Sequence, residues 1–532
     1  MATDAIVIGA GPNGLVAANL LADAGWSVTV LEAGPVPGGA VRTAEITLPG
    51  FRHDLFSAFY PLAMVSPPMR SLGLEEWGLR WLRSDVAVAH VAAEGRVAAI
   101  ASDIVGTAAS LDAWSPGDGD RWRRLLRDWD EVLTDALLTP FPPIRAGGRM
   151  ARRYRGRELL ELARLAVLPV RRLAEEHFTG QGGGLLLAGN ALHADFMPEA
   201  AGSGLFGWLL VCLAQTVGFP VPAGGAGSLT DALVRRLEAH GGVLRCDRRV
   251  TGIEVRAGRA VSVRTADGEV VAARRAVLGD VPAPALYLDL VGEKHLPATL
   301  LDGLRRFQWD AATVKVDWAL DGPVPWPSDL ARRAGTVHIA DDLDAMTTWA
   351  AQLATGRIPD RPFLLCGQQG KVDPSRSPPG TTTAWAYTHV PQVVRGDAAD
   401  AGLTGRWTSG EADAMTERIE AVIERAAPGF VRLIRARHTF TPASLEAENP
   451  SLVGGAVNGG TAQLHQQLIF RPTIGRARAE TPIRGLFLAS SSAHPGGGVH
   501  GACGANAARA ALAAARRDRI VRAVSRAGAG WD

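Results

Sequence analysis

Residues 4–32, DAIVIGAGPNGLVAANLLADAGWSVTVLE, decide how the rest of the chain is read. The short apolar run at 4–8 suits a buried parallel strand, and Gly9, Gly11 and Gly14 follow it at G-x-G-x-x-G spacing. Apolar residues then recur at helical intervals until Gly25, and 27–31 reads as a second strand, which completes a βαβ unit. Gly9 permits the tight turn, Gly11 lets a pyrophosphate approach the main chain, and Gly14 lets the helix sit close to the strand. The free N–H groups at the helix start face the phosphates, with the helix dipole favouring their charge, and Ala10, Pro12 and Asn13 are cofactor-binding candidates beside the glycines. Glu32, at the end of the second strand with Ala33 after it, is placed to accept hydrogen bonds from a ribose. A carboxylate there repels a 2′-phosphate, so the nucleotide is FAD or NAD rather than NADP.

Working outward, AGPVPGGAVRT (33–43) carries the pair Gly38-Gly39, then Ala40 and Arg42. Alone it reads equally well as a surface turn. The arrangement resembles the extended FAD motif of the amine oxidase and phytoene desaturase superfamily, in which a second glycine pair and an arginine contact the diphosphate. That resemblance implies FAD. In the same family the segment matching GFRHDLFSAFYP (50–61) passes beside the isoalloxazine ring, which makes Ser57, Ala58 and Phe59 candidate flavin neighbours; read by itself it is a core strand and loop.

The far end answers the near one. In 481–513 a strand at 485–489 runs through a glycine-rich loop, SSSAHPGGGVHG, into an alanine-rich helix that begins within 499–504. Glycine between a buried strand and a helix serves close approach. The stretch resembles the terminal flavin signature of the family, and Ser490, Pro495, Gly496, Gly497, Gly498 and Val499 are carried over as cofactor contacts. There the helix N-terminus faces the flavin pyrimidine and favours the anionic reduced ring. His494 and His500 are acid–base candidates; the other reading has His494 ordering the loop and His500 packing at the helix start. Two positions depart from the family pattern: Ser490 replaces its usual glycine, and Ala456 its usual aspartate.

Between the ends, VAVAHVAAEGRVAAI (86–100) predicts a β-hairpin, and 116–218 is mainly helical in pattern. Within it, 145–172 crowds Arg149, Arg152, Arg153, Arg155, Arg157, Arg164, Arg171 and Arg172 around Leu159, Leu160, Leu162, Leu165 and Leu168. Such a helix lies on an anionic membrane surface or is a solvated face. Residues 203–218 are nearly all apolar yet shorter than the roughly 20 residues that span a bilayer; they predict a buried helix beside an apolar substrate. From Phe219 a Pro/Gly loop leads to an amphipathic helix that Ser228 or Thr230 can cap. Then 243–255, 261–265 and 270–272 read as a meander, followed by a separate strand at 275–279. This order resembles the return of a phytoene desaturase chain into its FAD domain, where the residue matching Val250 contacts adenine through its backbone. Strands at 313–320, 362–367 and 382–389 and a helix at 411–426 supply a second sheet.

The 532 residues exceed what one small core holds, and 56 basic against 54 acidic residues exclude a general nucleic-acid binder. Cys212, Cys246, Cys366 and Cys503 form no CxxC pair, so no metal site is expected. The N-terminus enters its first strand at once, which leads us to expect a cytoplasmic protein, with peripheral membrane contact through 145–172 as an option.

The resemblance frames the whole chain and implies a phytoene desaturase-like flavoprotein. Its layout is similar to flavin-type carotenoid ketolases and to relatives of pyridine nucleotide-disulfide oxidoreductase domain-containing protein 2. The expected fold is α/β: a discontinuous Rossmann-like FAD-binding domain (1–67, 219–290 and 472–532) plus an α+β substrate domain (68–218 and 291–471). The expected activity is FAD-dependent dehydrogenation of an apolar, isoprenoid or polyene-like substrate, with dioxygen or a quinone accepting the electrons. Ketolation and double-bond isomerisation are open alternatives. A flavin-free lipid chaperone of the GDP-dissociation-inhibitor type shares the layout, but Glu32, Gly38-Gly39 and the HPGGG loop argue against it.

Overall fold

The computed structural model describes residues 3–127, 152, 154 and 156–528, with side chains described to residue 521. The chain opens with β1 (Thr3–Ile8), α1 (Pro12–Asp23) and β2 (Val28–Leu31). A hairpin follows, β3 (Val86–Val91) and β4 (Val97–Ala101), and then the helices α2 (Gln181–Leu192), α3 (Ser203–Thr216) and α4 (Gly227–Ala239). Next come β5 (Val243–Arg245), β6 (Val250–Arg256), β7 (Arg259–Thr265), β8 (Val270–Gly279), β9 (Ala312–Leu320) and β10 (Ala334–Ile339). The last part holds α5 (Leu343–Ala354), β11 (Leu364–Gly367), β12 (Thr382–Val390), α6 (Ser409–Ala426), β13 (Ile434–Phe440), β14 (Leu486–Leu488) and α7 (Ala502–Gly528).

Two seven-stranded sheets organise these elements. In the first, β14, β8, β1, β2 and β5 run parallel, so segments from both ends and the middle of the chain share one sheet. Helices cover it, and that is why β1 is buried along its whole length and reads as a continuous apolar run. Proline at the first turn of α1 wastes no hydrogen bond, because that amide has no intrahelical acceptor. The second sheet has the order β13–β9–β12–β11–β10–β3–β4. One face is closed by an apolar cluster that includes Met415, Ile419 and Ile423 of α6, and the other by α2 and α3. Those two helices meet at glycine: a Cβ on Gly207 would lie 2.6 Å from the Leu187 carbonyl oxygen.

Three local expectations are corrected. The stretch 243–255 is not one arm of a meander: β5 pairs in parallel with β2, and the meander starts at β6. The strand expected at 275–279 continues without a break from the hairpin, so β8 pairs with β7 through Val270–Ala272 and with β1 further on. Neither Ser228 nor Thr230 caps α4; Ala226 stands at the cap, while Ser228 Oγ donates to Ala223 O (2.8 Å) and Thr230 Oγ1 to Val41 O (2.7 Å). The hairpin at 86–101 and the buried helix at 203–216 are found as expected.

Of the arginine-rich stretch, Arg145, Arg149, Arg153 and Arg155 lie outside the described residues. Arg157, Arg164, Arg171 and Arg172 each pair with a carboxylate, so this part presents less free charge than the sequence suggests. Leu159 and Leu160 are exposed beside them. Among the described residues no helix is long and apolar enough to cross a membrane.

Candidate functional site

The glycine turn Gly9–Gly14 lies at the carboxyl ends of β1 and β8, the edge where open parallel sheets bind ligands. Gly9 takes φ +94°, which an L side chain rarely adopts, and a Cβ on Gly14 would meet Gly9 O at 2.3 Å. The turn's own residues therefore leave a hollow, and the Asp280 carboxyl reaches it, 2.7 Å from where a Cβ on Gly11 would stand. Gly38 N donates to Ala10 O (2.9 Å), and a Cβ on Gly39 would lie 3.1 Å from Gly11 Cα, so the second glycine pair rests directly on the first turn. The start of α1 beside it, with its helix polarity, suits the charge of a dinucleotide diphosphate.

Glu32 stands at the same edge, where its carboxylate accepts from Ala10 N (2.7 Å) and Gly34 N (2.8 Å). The chain at 245–248 runs alongside it, with Arg248 N donating to Glu32 O at 2.8 Å, and β6 starts at Val250 just beyond. Arg42 lies beside the glycine pair and also reaches the second-sheet layer. Its Nε donates to Gly39 O (3.1 Å), but its outer nitrogen is turned towards Glu448, at 3.0 Å, where it ties the glycine pair to the second-sheet layer. Ser57 Oγ donates to Ala40 O (2.7 Å), so 57–59 follows the glycine pair, and Ala58 is buried in the apolar cluster that includes Trp385 of β12.

The closing loop comes to the same place. β14 pairs with the end of β8, Leu488 opposite Gly279, and α7 crosses α1 so closely that a Cβ on Gly504 would lie 1.8 Å from Asn13 O. Ser490 is buried, and its Oγ accepts from Ser492 N (3.3 Å). Pro495–Val499 then runs past Leu62, to which a Cβ on Gly498 would approach within 2.8 Å. His500 is 1 % exposed; its Nδ1 accepts from Ala502 N (3.0 Å), and burial lowers its pKa to about 4. That is the helix-start role rather than an open acid–base group. His494 is buried within the loop and makes contacts of its own.

Sequence reasoning missed several groups at this junction. Asp280, just past β8, reaches into the glycine turn and accepts from Gly14 N (2.7 Å). Arg471, fully buried, gathers the backbone at 458–461 and Ser491 under the closing loop. Asp310 accepts from Val457 N (2.7 Å) and Asn458 N (2.9 Å), so a carboxylate still organises the loop where Ala456 departs from the family pattern.

The second sheet supplies the opposite wall. Register places Thr336, Gly367, Trp385 and Asp317 in one row across β10, β11, β12 and β9, and His90, His338, Leu365, Tyr387 and Lys315 in the next. Phe59 meets this face, its ring 6.1 Å from Trp385 and 6.3 Å from Phe219. His193 of the α2 end lies 5.7 Å from Phe219, and its Nε2 is 2.8 Å from His338 Nε2. Burial lowers His193 to about 3 and His90 to about 4, so these imidazoles are uncharged near neutrality. Lys315 donates to Asp317 Oδ2 and to Asp54 O (3.1 Å), and although burial alone would raise it, the Lys315 charge holds the Asp317 carboxyl below its usual range. An alternating pattern carried the signal: Trp385, Tyr387 and His389 share one face of a strand, as do Thr313, Lys315 and Asp317.

Comparison with known proteins turns this geometry into a family assignment. The sequence profile of flavin containing amine oxidoreductases matches residues 13–512. The chain belongs to that family. This flavin containing amine oxidoreductase is 28 % identical to pyridine nucleotide-disulfide oxidoreductase domain-containing protein 2 of Mus musculus, covering 95 % of this chain and 92 % of that one. It is 25 % identical to phytoene desaturase (neurosporene-forming) of Cereibacter sphaeroides, over 96 % and 94 % of the two chains. Among solved structures, an oxidoreductase from Methanosarcina mazei superposes with a TM-score of 0.62 at 16 % identity, over 96 % of this chain and 99 % of that one, which shows a shared fold. The protein is thus an FAD-dependent oxidoreductase, and the flavin-free chaperone alternative is set aside.

Proposed function

We propose that this oxidoreductase dehydrogenates an apolar substrate of isoprenoid or polyene type and passes the electrons to dioxygen or a quinone. The observation that carries the reading is the wall opposite the candidate flavin loops, where Phe59, Phe219, Trp385 and Tyr387 meet imidazoles that burial keeps neutral. Desolvated aromatic surface of this kind favours a hydrocarbon over a charged amine. The relative named phytoene desaturase points the same way.

Under this reading the glycine turn, Glu32, Gly38-Gly39 and the 495–499 loop hold FAD, and Val250 and Ser57–Phe59 flank it. FAD, when bound, accepts a hydride from the substrate. The protein positions the carbon that loses it, shields that carbon from water through the aromatic wall, and leaves the companion proton to pass to solvent, since burial disfavours the charged form of the imidazole row. The same reading assigns 1–67, 219–290 and 472–532 to the cofactor and 68–218 and 291–471 to the substrate. Peripheral contact of 145–172 with a membrane, through side chains such as Leu159 and Leu160, would deliver such a substrate.

Anaerobic mixing with a panel of polyenes, monoterpenes and aliphatic amines tests the proposal. Loss of the visible flavin absorption with an isoprenoid and none with amines is expected; bleaching by amines alone would overturn it.

A further inference from the structure

Strand β8 delivers Asp280 to the glycine turn in a fixed pose. Its backbone N donates to Ile8 O (2.7 Å), and its Oδ2 accepts from Gly14 N (2.7 Å). A Cβ added to Gly11 would stand 2.7 Å from that same oxygen, and one added to Gly14 would stand 3.0 Å from it. The carboxyl group therefore occupies the hollow left by the glycines, on an amide of the first turn of α1.

The groups around it are acidic or neutral. Glu32 faces it from the end of β2, already bound to Ala10 N and Gly34 N, and Cys503 faces it from α7. Among the described residues no ammonium or guanidinium is hydrogen-bonded to Asp280. A diphosphate brought to this turn would therefore meet two carboxylates whose hydrogen-bond partners among the described residues are backbone amides rather than cations. Glu32 is tied by two amides, and the Asp280 backbone is tied to β1. Loss of a charge by proton uptake relieves the conflict without moving either strand.

We propose that Asp280 is part of the cofactor site and that FAD binds the protein with this carboxyl protonated, as a neutral hydrogen-bond donor beside the diphosphate. The proposal rests on the assignment of the glycine turn to the diphosphate. Burial pushes the Asp280 carboxyl up to about 7 before any phosphate is near; the Gly14 amide works against that rise and Glu32 adds to it. Cofactor uptake therefore takes up a proton above that pH. Affinity is constant where the free protein is already protonated and weakens where it is not, towards about tenfold per pH unit.

Full-length holoprotein is diluted into buffers from about pH 6 to about pH 9, and released FAD is read by its fluorescence. The wild-type dissociation constant should hold level below about pH 7 and then climb. Asp280→Asn keeps a donor with no proton to lose, so its affinity should stay level and match that of the wild type at low pH. Glu32→Gln keeps Asp280 and should keep the slope. Equal slopes for the wild type and Asp280→Asn, or a level wild-type profile, would overturn the proposal. Calorimetry of FAD rebinding in two buffers of unequal ionisation enthalpy, above that pH, needs no variant: about one proton taken up supports the proposal and none overturns it. A protein that takes up no FAD at any pH would remove the diphosphate assignment as well.

Discussion

Replacing Arg471 with lysine removes a cation's shape while keeping its charge, and the structure fixes what is lost. The guanidinium donates to five backbone carbonyls, those of Asn458, Gly459, Gly460, Thr461 and Ser491, at 2.7–3.3 Å. An ammonium has three N–H donors, and Ser492 Oγ also donates to Gly459 O (2.8 Å), so of the four carbonyls that depend on Arg471 alone at least one loses its partner in a site closed to water. At about 1–3 kcal/mol for each buried group left unmet, Arg471→Lys should cost at least about 1–3 kcal/mol, and Arg471→Met more. The loss also reaches the cofactor, because the gathered loop abuts the closing one: a Cβ on Gly497 would lie 2.8 Å from Asn458 Oδ1. Thermal unfolding followed by tryptophan fluorescence, with flavin release recorded in the same scan, reads both effects. A lysine variant that melts with the wild type and keeps its flavin would refute the reasoning.

Other substitutions test neighbouring parts of the account. Gly504→Ala forces α7 away from the Asn13 carbonyl, and overpacking of this kind costs about 1–3 kcal/mol; co-purifying flavin should fall, and undiminished occupancy would contradict the close crossing. Glu32→Ala removes the acceptor of the Ala10 and Gly34 amides and should weaken FAD retention; a variant with full occupancy after dialysis would count against its placement. Burial lowers His90 to about 4 and His193 to about 3, below their unfolded value near 6.5, so the unfolded chain binds more protons in acid. Stability is then fully present above about pH 6.5 and declines as pH falls towards 4; chemical denaturation across that range should show it, and a level profile would not fit buried neutral imidazoles. If 145–172 touches membranes, co-sedimentation with liposomes should require anionic lipid and fall with salt; salt-independent binding would exclude an electrostatic contact.

The parts of the fold legible in the sequence are those whose signal is local. The opening βαβ unit, the hairpin at 86–101 and both glycine loops are written in neighbouring residues: apolar period, turn residues and glycine spacing. Where a choice depends on a distant partner, local rules fail. Thr230 obeys the capping rule by type, yet its hydroxyl goes to Val41 because α4 lies against the glycine pair. Nothing within 243–255 tells that its first strand joins β2 while the rest forms a hairpin. The site divides in the same way. Asp280 meets Gly14 across 266 residues of chain, and Arg471 looks like an ordinary surface arginine until the fold closes over it. The alternation of Trp385, Tyr387 and His389 was readable as one strand face, but not which face it would be.

The central claim is that FAD lies extended between the opening glycine turn and the closing glycine loop. Electron density for the holoprotein is the most direct measurement. It should place the diphosphate at Gly9–Gly14 and the flavin ring between residues 495–499 and Phe59; a ring bound elsewhere, or side chains filling that space, would contradict the account.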